Sequence, residues 1–214
     1  MKNVRLYFKK TGDARFISHL DTVRFITRLI RRAGLPVWYT EGFNPHLYIT
    51  FALPLSLGFE SEYELADIRL NDDNFPLSDI CEKLNQNSTP SFIFLRAEEP
   101  KSKLSDLCFA DFSVWFEDRN LVLPLKKFLS SEEITVEKKT KKGDIKSVDI
   151  KPDIKRFSVS EEDGTALNIT LPAGPNKNIN PELLINKFLS DTGIDCYYKI
   201  TRKALLDSTL SLLK

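Results

Sequence analysis

One amphipathic helix pattern, Ser18 to Ala33, set between strand-like alternations, does most to limit what this chain can fold into. Val23, Ile26, Leu29, Ile30 and Ala33 recur at helical spacing and define an apolar side. Arg24, Arg28, Arg31 and Arg32 fall at i, i+4, i+7 and i+8 on the opposite side. Ser18 is placed to cap the free N–H groups, Asp21 follows three residues on as in a capping box, and Gly34 then Pro36 stop the helix. Such a helix lays its apolar stripe on a sheet and turns four guanidinium groups outward.

The flanking patterns supply the sheet. Val4–Phe8, Leu47–Ala52, Glu62–Leu70 and Ser91–Arg96 read as strands, and a short helix from Pro76 to about Leu84 completes the order βαββαβ. A polar linker, Glu98–Asp106, precedes a second series. It contains strand Phe109–Glu117, helix Leu121–Leu129, strands Ile134–Lys139 and Ile145–Ile150 around a KKGD turn, strands Arg156–Ser160 and Ala166–Leu171, helix Pro181–Leu189 and strand Cys196–Thr201. The expected class is α+β, with two ferredoxin-like (βαββαβ) units in tandem, residues 1–98 and 107–214, the second elaborated with extra strands.

Composition narrows the function less than charge placement does. The net charge of the 214 residues is +1, yet residues 1–48 hold nine Lys or Arg against Asp13, Asp21 and Glu41. No apolar run approaches bilayer length, and MKNVRLYFKK alternates as a strand rather than forming a signal-peptide core, so a cytoplasmic protein without a membrane partner is expected. Cys81, Cys108 and Cys196 are odd in number and widely spaced, which predicts reduced thiols and no cysteine metal site.

Several residue groups carry candidate chemistry. Arginine forks pair with phosphates, so the row Arg24, Arg28, Arg31 and Arg32, extended by Lys9, Lys10 and Arg15, is the candidate RNA-binding face; a solvated helix face is the competing reading. In GFNPHLYITF, Asn44 and His46 offer hydrogen bonds beside Trp38, Tyr39, Phe43 and Tyr48, a set that suits unpaired bases or serves as a turn and core. His19 and His46 are the chain's two histidines. His19, with Arg15 or Lys10 stabilising a phosphorane, makes a metal-independent endoribonuclease the enzymatic alternative. The hairpin 138–156 is lysine-rich, either a second arm on a backbone or a guarded solvated edge. Glu60, Glu62 and Glu64 share a strand face, which is expected to be exposed and not to bind metal.

RFISHLD (Arg15–Asp21), RRAGLP (Arg31–Pro36), GFNPH (Gly42–His46), PLSLG (Pro54–Gly58), KKGDIKSVDIKP (Lys141–Pro152) and ITRKALL (Ile200–Leu206) together resemble the radical SAM-linked protein family. Its members are a domain of unknown function, fused behind or encoded beside cobalamin-binding radical SAM proteins near RNA-processing genes. The resemblance implies an accessory role, with a radical SAM protein and structured RNA (tRNA or rRNA) as partners, or an adaptor docking that enzyme. Leu47 and Tyr48 depart from the Pro and polar residue that usually follow GFNPH. No CxxxCxxC triplet is present, so no cluster chemistry and no cofactor are expected of this chain. A fold-level analogy to CRISPR repeat-processing endoribonucleases accompanies the His19 alternative.

Overall fold

The apolar alternation of the first sixty-odd residues is realised as strand β1 (Lys2–Lys10), helix α1 (His19–Arg32), strand β2 (Ile49–Phe51) and strand β3 (Glu60–Leu70). Helix α2 (Leu77–Asn87) and strand β4 (Phe92–Glu98) follow. A computed structural model of the chain describes residues 1–139 and 145–214. These divide into one unit of Met1–Leu107 with Arg202–Lys214 and another of Cys108–Thr201.

In the first unit β1 pairs antiparallel with both β3 and β4, and β2 pairs antiparallel with β3, giving the strand order β4-β1-β3-β2. Val4, Leu6 and Phe8 of β1, with Ala66, Ile68 and Leu70 of β3, point to the side covered by Ile26, Leu29 and Ile30 of α1 and Ile80 and Leu84 of α2. All are buried; each fully buried Leu, Ile or Phe contributes about 1.5–3 kcal/mol. The other face holds a bidentate pair between register partners Arg5 and Asp67, at 2.7 and 2.8 Å. Ser102 O accepts from Arg5 and Leu213 O from the Tyr63 hydroxyl, so the polypeptide after β4 and the chain's last residues cover this face.

Helix α1 begins and ends as its sequence dictates, with one difference. Ser18 Oγ accepts from Asp21 N at 3.1 Å, but Asp21 answers through the Ser18 hydroxyl at 2.7 Å instead of the backbone N–H of a full capping box. Gly34 takes φ +66°, and Leu35 N reaches back to Ile30 O, closing the helix with a left-handed turn that a side chain would strain.

The second unit contains β5 (Phe109–Phe116), α3 (Val122–Leu129), β6 (Thr135–Lys139), β7 (Ile145–Asp149), β8 (Arg156–Glu162), β9 (Gly164–Pro172), α4 (Pro181–Thr192) and the start of β10 (Tyr198–Leu206). Its main strands run β10-β5-β9-β8, while β6 and β7 form a separate two-stranded ribbon. The expected KKGD turn, 141–144, lies outside the described residues. Pro124 is tolerated in the first turn of α3, where backbone N–H groups have no helical partner. At the start of β9, Gly164 holds φ +124°, and a Cβ there would stand 2.4 Å from Phe116 O.

The fold class is α+β. Arg202–Lys214 lies with the first unit, whereas a contiguous split at the 98–107 linker assigns it to the second. Side chains explain this: Arg202 and Lys203 bind Glu64 and Glu62 of β3. The linker itself ends in a 3-10 turn, Leu104–Asp106, within the first unit.

Candidate nucleic-acid interface

The outer face of α1 is arginine-bearing, but its members differ. Arg24 is not a free cation: its guanidinium binds Asp21 at 3.0 Å, on the acid that also closes the helix start. Two hydrogen bonds, from Ser18 and then from Arg24, hold the Asp21 carboxyl below its usual range. Arg31 donates to the Tyr39 hydroxyl at 3.1 Å and lies over that ring. Arg28 and Arg32 are exposed and have no hydrogen bond or ion pair among the described residues. The row thus presents Arg28, Arg31 and Arg32 without a carboxylate, next to Tyr39.

Beyond Tyr39 the chain forms a short ribbon. Tyr39 bridges Leu47, Thr40 N donates to His46 O at 2.8 Å, and His46 N donates to Thr40 Oγ1 at 3.1 Å. The His46 ring shares a further hydrogen bond, Nδ1 to Thr40 Oγ1 at 2.9 Å, with Asn44 O at 3.3 Å. One ring nitrogen of His46 is thereby committed to holding the turn. Gly42 takes φ +125°, and residues 41–46 all stand in solvent, Asn44 among them and Phe43 completely exposed at 105%.

The aromatics expected around this turn do not form one cluster. Alternation along the ribbon sends Tyr39 to the α1 side, where it packs on the core. Trp38 and Tyr48 pair with each other at 5.8 Å and with Arg69 of β3, whose guanidinium lies 5.1 and 4.6 Å from their rings. Arg69 in turn donates to Asn3. Those two rings are occupied by the protein's own cation; Phe43 is not.

The opposite end of α1 is different in kind. Regular alternation from Val4, Leu6 and Phe8 carries Lys10 to the inner side of β1, where it is 1% exposed and donates to Ile17 O at 3.0 Å. This corrects the expectation that Lys10 extends the exposed basic patch. Glu64, 4% exposed, binds Arg202, 1% exposed, through both carboxylate oxygens at 2.6 Å; Arg202 also donates to Leu53 O and to Pro54 O at the start of PLSLG. His19 packs edge-on against Phe51 at 5.3 Å. Burial lowers the pKa of His19, Glu64 opposes this, and Lys10 and Arg202 add to it. Lys10 is lowered by burial as well, against the pull of Glu64 and with a smaller push from Arg202.

This grouping brings Lys10 and His19 together, as an endoribonuclease reading requires, yet Lys10 is sealed from any phosphorane. Arg15 stands over Phe16 at 4.5 Å while its carbonyl accepts from Gly58 N. Glu64 and Arg202 were not legible as partners. The strand face of Glu60, Glu62 and Glu64 is not simply exposed: Glu60 accepts from Gly12 N, Glu62 binds Lys203, and Glu64 is buried. Among the described residues no group of three or more His, Cys, Asp or Glu is placed to hold a metal ion.

In the 138–156 segment three basic side chains are tied down. Arg156 binds Asp111 at 2.7 Å, Lys151 donates to Leu129 O and Lys155 lies over Phe109. Asp149 accepts from Ile134 N and Lys151 N, and Asp153 binds Lys177. Lys141 and Lys142 lie outside the described residues. Among the described residues no helix is long and apolar enough to cross a membrane.

An α+β protein with a carboxylate-free arginine face is the class that fold and surface define. Residues 3–181 match the family described as "Uncharacterized protein conserved in bacteria (DUF2344)", and the chain belongs to that family. No curated protein matches its sequence. Among solved structures it is similar to a chain of "Crystal Structure of a Cbf5-Nop10-Gar1 Complex", at 10% identity and TM-score 0.53, over 94% of this chain and 48% of that one. It is also similar to a chain of "Crystal structure of the archaeal box H/ACA sRNP Nop10-Cbf5 complex", at 9% identity and TM-score 0.47, over 93% and 46%. The chain spans about half the length of those solved chains, and at such identity the likeness concerns fold alone.

Proposed function

We propose that this protein is a non-catalytic RNA-binding module that grips the phosphate backbone with Arg28, Arg31 and Arg32. The observation that carries the reading is the presence of Arg28 and Arg32 in solvent with no carboxylate partner beside Arg31. Unpaired guanidinium groups at helical spacing match a run of phosphates and gain affinity by releasing counterions. Arg24, bound to Asp21, contributes less. A radical SAM protein as the partner that performs chemistry is the finer part of the proposal; the motifs from Arg15 to Gly58 support it.

Filter binding of tRNA and rRNA fragments across salt tests this reading. Three arginine contacts predict a slope of log K against log salt of about −2, at roughly 0.7 per contact for single strands. Replacing the three by Gln should bring the slope close to zero. Binding that ignores salt would remove the proposal, and equal binding of DNA of the same sequence would keep the phosphate site but remove RNA as its ligand.

One observation favours a second reading, a protein adaptor. Phe16, Leu20 and Leu57 are large, exposed and carried by the RFISHLD and PLSLG segments, which are joined by the Gly58 N to Arg15 O hydrogen bond at 2.8 Å. Co-purification with a radical SAM protein after nuclease treatment, lost on Leu20→Asp, would favour it.

A further inference from the structure

Phe43 has no packing role in the fold. Its side chain is fully solvated, and the turn that bears it is set by Gly42 at φ +125° and by the Thr40–His46 hydrogen bonds. Turn tips are ordinarily filled by Gly, Asn, Asp, Ser or Pro, because a large apolar ring there leaves its whole surface in water. Here the ring sits at the tip of a braced ribbon, four residues beyond Tyr39, which is itself held by Arg31. The other aromatics of the segment are spoken for: Trp38 and Tyr48 hold Arg69, and Tyr39 packs on the core.

We infer that the ligand of this surface is unpaired RNA, with a base stacked on Phe43 and its edge met by Asn44 while Arg28, Arg31 and Arg32 follow the adjoining phosphates. The inference rests on the RNA reading above and adds the substrate class. A duplex hides its base faces, so a lone protruding ring offers it nothing, whereas every unpaired base has a face to stack. Charge complementarity selects a nucleic acid over an apolar partner: the neighbouring cations outnumber the one acid of the turn, Glu41.

The test uses the full chain and two probes, a 12-nucleotide single strand (oligo-U and oligo-A separately) and a 12-base-pair RNA duplex, measured by fluorescence anisotropy. Phe43→Ala should weaken single-strand binding roughly 5- to 150-fold and leave duplex binding unchanged. Phe43→Trp should restore affinity, and its fluorescence should be quenched by the single strand. Phe43→Leu, apolar but without a ring face, should behave as Ala. Four results overturn the inference. Duplex bound as tightly as single strand, or no effect of Phe43→Ala while the arginine substitutions still abolish binding, leaves the phosphate site standing and removes the stacked base. Absence of salt-dependent binding to either probe removes both readings. Loss of a protein partner on Phe43→Ala, with RNA affinity intact, assigns the ring to a protein interface.

Discussion

The two ends of helix α1 place the same kind of residue in opposite circumstances. At the N-terminal end the cations Lys10 and Arg202 are buried with Glu64 beside half-buried His19, and their hydrogen bonds run to the protein's own carboxylate and carbonyls. At the C-terminal end Arg28 and Arg32 stand in water with no carboxylate, and Arg31 meets only a tyrosine. A buried guanidinium is a structural strut whose removal strands its partner. An exposed one contributes little to stability and is free for a ligand. The motifs around α1 therefore divide by burial: RFISHLD and PLSLG frame the strut, and RRAGLP and GFNPH frame the surface.

Arg202→Met would strain this comparison hardest. It leaves the Glu64 carboxylate buried and unpaired and should cost about 3–5 kcal/mol, read by urea denaturation. The double substitution Arg202→Met with Glu64→Leu should recover part of that loss, because the stranded carboxylate is gone while buried Lys10 keeps its hydrogen bond to Ile17 O. Arg28→Met, the same chemical change at the other end, should move stability by no more than about 0.5 kcal/mol. Comparable costs at the two sites would break the distinction between strut and surface.

A smaller effect should appear with pH at the buried end. The pKa of His19 is lowered in the fold, chiefly by burial, so between that value and the ordinary 6.5 the unfolded chain binds more protons there than the folded one. Stability should therefore fall as pH drops through that window and stop falling from this source below it. His19→Gln should flatten the slope between pH 7 and 5 relative to the parent protein. An unchanged slope would mean that His19 is not desolvated as its contact with Phe51 indicates.

Most of the element order could be read from periodicity, because apolar spacing of two or 3.6 registers on which side a residue lies. Helix α1 runs His19–Arg32 against a pattern spanning Ser18–Ala33, and β3 extends two residues before the patterned Glu62. What periodicity does not carry is whether a face is covered. Glu60, Glu62 and Glu64 share a face in an unbroken strand, but a bulge in β3 between Ser61 and Glu64 puts exposed Glu62 with Lys203 and buried Glu64 with Arg202, which arrives from 138 residues away. Lys10 continues the inward series Val4, Leu6 and Phe8, so its burial was legible in the alternation, while its charge alone reads as surface. The aromatics near GFNPH are close in sequence, yet alternation sends Trp38 and Tyr39 to opposite sides. The fully exposed Phe43 was visible only as one ring among four.

The least perturbing test concerns Arg24, the one member of the row with an ion partner. Asp21 lies one turn before it and binds it at 3.0 Å, while also engaging Ser18, so the row's fourth phosphate contact is suppressed from within the helix. Asp21→Asn keeps a hydrogen-bonding side chain near Ser18 and removes the negative charge, leaving Arg24 free. If the exposed end of α1 is a phosphate track, that substitution should steepen the salt dependence of RNA binding from about −2 towards −3, a gain of roughly 0.7. Arg24→Gln in the parent protein should leave the slope nearly unchanged, since a paired guanidinium releases few counterions. A steepened slope in Asp21→Asn that persists when Arg24 is also replaced would show the gain to be a change in net charge, and would remove Arg24 from the track.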